Sequence, residues 1–150
     1  MLPTAHIASA LLFNRVTGLD RGMSPAVLGA LVPDAIDKTL AWVIQAVPAA
    51  RHIAHTPLAA VLLSAGASAV LGRRWATAFG AAYLVHLVGD LWHRGHVPWL
   101  MPFKHYDVRG EPWHVELSTD ALLLEAAGAA TIALLAGRAD DTAKATPLHP

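Results

Sequence analysis

Ala82-Tyr83-Leu84-Val85-His86-Leu87-Val88-Gly89-Asp90-Leu91-Trp92-His93 sets two imidazoles and a carboxylate into an apolar stretch of helical character. His86 and Asp90 are four apart, and Asp90 and His93 are three apart. On a helix all three side chains share one face. Each such group costs free energy in apolar surroundings unless it finds a partner. A metal cation is a partner that all three could share. The stretch predicts a helix with one chemically committed face, and the rest of the chain must supply what meets that face.

Composition narrows the setting. Hydrophobic residues make up 55% of the 150 residues and charged residues only 15%, where a soluble domain usually carries about 25%. That balance points to a membrane protein, with an alanine-rich soluble bundle as the other possibility. Net charge is zero with histidines neutral, so there is no electrostatic footprint for nucleic acid. Cysteine is absent, so any metal site uses nitrogen and oxygen donors. There are nine histidines, and only His114 and His149 lie in the last quarter of the chain. The first residues carry no basic stretch of the kind that opens a signal peptide.

The pattern is helical almost throughout, rich in alanine and leucine. Thr4 is placed to cap a first helix running to about Val16. Ser24-Pro25 reads as the start of a second, toward Val47, with Pro33 inside it. Three apolar runs follow, Pro57–Leu71, Trp75–Trp92 and Leu117–Ala136. Each is near the minimum of about 17–20 residues for spanning a bilayer. The fold expected is an all-α polytopic membrane bundle of four to five helices over residues 1–138, followed by a disordered tail over residues 139–150. Trp75, Trp92, Trp99 and Trp113 read as interfacial anchors.

Chain direction then sorts the polar motifs. A helix leaving His55 runs toward Arg73-Arg74, and the next returns toward Asp90 and His93. Helix one leaves His6, and its successor returns toward Asp34 and Asp37. His6, the pair Asp34 and Asp37, the pair His52 and His55, and the trio His86, Asp90 and His93 therefore gather at one end. Arg15, Arg21, Arg73, Arg74 and Arg138 gather at the other. All eight of these histidines and aspartates are candidate metal ligands, and Asp34 and Asp37 are also candidates for a catalytic general base. Imidazole and carboxylate suit a divalent ion, zinc first, with one or two ions held. Arg73 and Arg74 suggest a cytoplasmic loop, which would put the motif-bearing end on the outer side.

In their order, His6, Leu31-Val32-Pro33-Asp34-Ala35-Ile36-Asp37, His52-Ile53-Ala54-His55-Thr56-Pro57, Tyr83-Leu84-Val85-His86-Leu87-Val88-Gly89-Asp90 and Val97-Pro98-Trp99-Leu100-Met101-Pro102-Phe103, these motifs resemble those of a bacterial inner-membrane family. Its members are labelled membrane-bound metal-dependent hydrolases. The resemblance covers roughly residues 1–105. It implies Asp34, Asp37, His55, His86 and Asp90 as the metal site, with His6 and His52 behind them, and a multi-pass protein of the inner membrane. The His86–Asp90 helix is also similar, more remotely, to one in zinc-dependent phospholipases C. The family commonly has its aspartates two apart, whereas here they are three apart, and the turn ends His55-Thr56-Pro57 in place of the usual Thr-His-Ser.

The function these observations favour is hydrolysis of an ester or phosphoester by a metal-activated water. The expected partners are the lipid bilayer and a small-molecule or lipid substrate. The alternatives are a metal or proton carrier, whose polar groups would be strung across the membrane depth, and a bundle stapled by its metal, whose coordination positions would all be filled by side chains.

Overall fold

The computed structural model describes residues 3–19, 22–94, 97–106 and 118–145. Among them every regular element is helical. The elements are α1 (Pro3–Val16), α2 (Met23–Lys38), α3 (Pro57–Leu71), α4 (Arg73–Arg94) and α5 (Thr119–Ala145), with one π-helical turn, Thr39–Val43, prolonging α2. α5 continues to Ala145, into the stretch where a tail is expected, and residues 146–150 lie outside the described residues.

Local chemistry explains most helix ends. The Thr56 side chain accepts from the Ala59 amide at 3.0 Å, and Pro57 occupies the first turn of α3, where its missing N–H is no loss. Gly72 closes α3 at φ +87°, a conformation glycine adopts without strain, and α4 starts at the next residue. Two expected caps are not the ones found. α2 begins at Met23 with Gly22 before it and no side-chain cap, not at Ser24. Thr4 lies inside α1, and its backbone N–H and that of Ala5 are satisfied by the carboxylate of Glu125 from α5. An acidic group from another helix thus caps the positive end of α1.

α4 packs against α1, α2 and α3, while α1 also contacts α2 and α5. Small residues set the closeness. A Cβ on Gly29 would lie 2.3 Å from the Phe79 carbonyl oxygen and 2.7 Å from Ala82 Cβ. One on Gly128 would lie 2.8 Å from the Thr4 carbonyl carbon. One cluster of buried side chains is mostly alanine, Ala10, Ala26, Ala30 and Ala82 with Leu11. The other centres on Phe79, Tyr83 and Leu87. Such small-residue interfaces bring helix backbones together. Gly29→Ala should therefore push α2 away from α4. The expected loss is about 1–3 kcal/mol, read as a lower melting temperature of the detergent-solubilised protein. An unchanged melt would contradict this packing.

The exterior inverts the usual polarity. Leu58, Val61, Leu62, Val70 and Leu71 of α3 and Leu122, Leu123, Leu124 and Leu134 of α5 are exposed, while His6, Asp37, His55, His86 and Asp90 are buried. Soluble proteins seldom expose so continuous an apolar surface. By length and composition, one helix among the described residues, Thr119–Gly137, can cross a bilayer. α3 is apolar but only 15 residues long, and the run in α4 begins with Arg73 and Arg74.

Candidate metal centre

Asp34, His55, His86 and Asp90 converge, each offering a donor atom within 4.8 Å of all the others. Three separate backbone segments bring them there. α2 carries Asp34, and Asp37 one turn on. α4 carries His86 and Asp90 at the i, i+4 spacing of one face. His55 comes from the irregular segment ahead of α3, which Asp37 organises. The Asp37 carboxylate is fully buried and accepts the backbone N–H groups of His52, Ala54 and His55. It also accepts from His55 Nδ1 at 2.8 Å. The Tyr83 hydroxyl ties the same segment to α4 by donating to the Ala54 carbonyl.

Hydrogen bonding fixes both rings. A carboxylate and a carbonyl can only accept. His55 Nδ1 therefore donates to Asp37, and His86 Nδ1 donates to the Ala30 carbonyl at 2.6 Å. In the neutral imidazoles this leaves both Nε2 lone pairs pointing inward, 3.3 Å apart. Asp34 Oδ1 and Asp90 Oδ2 each lie 3.5 Å from His55 Nε2, and Asp90 Oδ2 lies 4.0 Å from His86 Nε2. Inward lone pairs and carboxylate oxygens at these distances repel unless a metal cation or a proton sits among them. Metal-ligating histidines usually donate their far nitrogen to a carboxylate or a carbonyl, as both do here. Zinc–donor bonds of about 2.0–2.1 Å place tetrahedral donors about 3.3–3.4 Å apart, close to the shorter separations found. The residues present fit a divalent ion.

Charge leads to the same place. Lys38 pairs with Asp34 and Arg51 with Asp90. Together these two fixed cations leave the three carboxylates of Asp34, Asp37 and Asp90 one positive charge short. In the metal-free protein a proton on His55 fills the deficit. Burial opposes that charge, but hydrogen bonds with Asp34, Asp37 and Asp90 outweigh it and hold His55 up at about 10. Protonated His55 stabilises the metal-free fold fully below the free imidazole value of about 6.5, and that contribution is lost as pH rises through about 10. A metal must displace this proton. Metal loading in weak buffer at neutral pH should release protons, and affinity should rise with pH. Calorimetry in buffers of different ionisation enthalpy checks the release. Affinity independent of pH from 6 to 8 (roughly the range where imidazole sites respond) would contradict it.

The other expected site residues fall in different places. His6 is buried, stacks on His86 with ring centroids 3.9 Å apart, and puts Nε2 3.3 Å from Asp90 Oδ1. Asp37 is not positioned as a ligand or as a general base, because both its oxygens hold the His52–His55 segment. His52 contributes its backbone N–H to Asp37, while its ring Nδ1 is buried without a hydrogen-bond partner. The side chain of His93 lies outside the described residues. Sequence reasoning missed Arg51, Lys38 and Tyr83. Lys38 was legible, since it lies four residues after Asp34 on one helix, though it reads more readily as the sequence neighbour of Asp37. Arg51 and the Ala30 carbonyl carry no local signal, because only the meeting of distant segments gives them partners.

The sequence model of a family described as YdjM inner membrane protein matches residues 1–146. No curated protein and no solved structure matches the chain.

Proposed function

The chain belongs to the YdjM inner membrane protein family, and within that setting we propose, from the site itself, a multi-pass metalloprotein that hydrolyses an ester or phosphoester at the membrane. The observation that carries this reading is the inward convergence of Asp34, His55, His86 and Asp90 with both imidazoles locked from behind. The leucine-rich exterior of α3 supports bilayer contact beyond α5, the one helix of full spanning length among the described residues.

Asp34, His55, His86 and Asp90 would hold the ion, with zinc favoured by the donor set. The chemistry such an ion supplies is polarisation of a substrate oxygen and acidification of a water. The protein's own residues prepare for it. Asp37 and Ala30 orient the imidazoles. Arg51 neutralises Asp90 from a largely buried position. Asp34 is the less enclosed carboxylate and holds its partner Lys38 at the rim.

A second reading rests on the donor count. Four side-chain donors fill a tetrahedral site, as in structural zinc centres, whereas catalytic ones keep a position open. The gathering of the donors at one place favours either of these over a carrier. Hydrolysis of p-nitrophenyl phosphate and p-nitrophenyl acetate by the purified protein separates them. The hydrolase reading expects turnover that a chelator abolishes and added metal restores. Bound metal with no turnover of either ester class would favour the staple.

A further inference from the structure

A cavity of about 480 Å³ opens beside the metal centre, lined by Pro48, His52, Met101, Pro102, Lys104, His105 and Tyr106. Its size is that of small-ligand sites generally. One wall is His52, the residue after Arg51, so the cavity and the rim of the carboxylate cluster share one dipeptide. Most of the remaining lining comes from residues 101–106, a segment held to Leu100 by that residue's amide, which donates to the Tyr106 hydroxyl at 3.1 Å.

The lining is one-sided in charge. His52, Lys104 and His105 offer nitrogen donors, and no carboxylate lines the cavity among the described residues. The Lys104 ammonium rests 5.7 Å from the Tyr106 ring centroid, held against the wall. His52 lines the cavity with the accessible part of its ring, while its Nδ1 is turned into the protein. These are the groups that hold a phosphoryl oxygen by charge-assisted hydrogen bonds. The same segment and the Leu100 before it expose apolar side chains, Leu100 at 58% and Phe103 at 85%. Apolar side chains next to a lysine suit a bilayer interface, where the former enter the lipid and the latter meets headgroups.

We propose that this cavity binds the phosphoryl headgroup of an anionic membrane lipid, with His52, Lys104 and His105 on the phosphate and Leu100 and Phe103 beside the acyl chains. As an assignment of substrate class it rests on the hydrolytic reading of the neighbouring metal centre. As a binding site it is tested separately.

The probe is dodecyl phosphate, titrated into the intact protein in neutral maltoside micelles, with inorganic phosphate titrated in parallel and metal content measured on each sample. Dodecyl phosphate should bind tighter than inorganic phosphate. Lys104→Ala together with His105→Ala should weaken it by about tenfold or more, the loss expected for charge-assisted contacts, while metal content stays at the wild-type level. Lys104→Glu should weaken it further. No binding of dodecyl phosphate, or equal affinity in the double variant, would overturn the site. Equal affinity for both probes would make the ligand a free phosphate and overturn the lipid assignment. Dodecyl phosphate binding to protein that takes up no metal would uphold the cavity and remove the hydrolytic reading instead.

Discussion

His86→Ala should reduce bound divalent metal from about one ion per chain to near zero on purified, detergent-solubilised protein. The imidazole contributes one of four inward donors, and its Nδ1–H···O bond to Ala30 is what aims it. Removing it leaves three donors from α2, α4 and the segment before α3, and nothing among the described residues replaces it except His6. The His6 ring stacks on His86, and its Nε2 faces the other oxygen of Asp90. Alanine is a good helix former, so circular dichroism should still report a helical protein. His86→Gln keeps a polar group of similar reach and should also fail to hold metal, because an amide is a poor ligand for a zinc-like ion. Unchanged metal content in either variant would remove His86 from the site.

Asp37→Ala should have the largest effect on stability. It would strand three backbone N–H groups and the Nδ1–H of His55 in a buried place. An orphaned buried donor costs about 1–3 kcal/mol, and breaking a buried charged partner about 3–5 kcal/mol. The expected total, about 3–5 kcal/mol with relaxation, is enough to unfold a marginal bundle. Asp37→Asn keeps one acceptor and should fall between. Where it folds, its metal affinity should drop by about 10–100-fold, the usual result of losing the partner behind a ligating histidine. Thermal unfolding of both variants checks this. A melting temperature equal to wild type in Asp37→Ala would show that Asp37 does not organise the segment.

How much of this was legible in the sequence depends on the kind of signal. The His86–Asp90 face could be read directly, because helix periodicity alone places those groups together. The gathering of His6, Asp34 and His55 at the same end followed from chain direction, since α3 leaves His55 and α4 returns to Asp90. The role of Asp37 could not be read. Two aspartates three apart look alike in sequence, and only the burial of one under the His52–His55 amides tells them apart. The caps went wrong for a similar reason. Thr4 has the right chemistry for a cap, but Glu125 reaches it from 121 residues away and takes that place. The polytopic expectation came from hydropathy over runs near the spanning limit, and among the described residues one helix, Thr119–Gly137, is long and apolar enough to span.

The central claim is that Asp34, His55, His86 and Asp90 hold one metal ion together. X-ray absorption at the edge of the metal found in the purified wild-type protein tests it most directly. The account predicts a first shell of nitrogen and oxygen at about 2.0–2.2 Å, with the outer-shell scattering of two imidazole rings. A protein that retains no divalent metal, or a metal whose surroundings contain no imidazole, would contradict it.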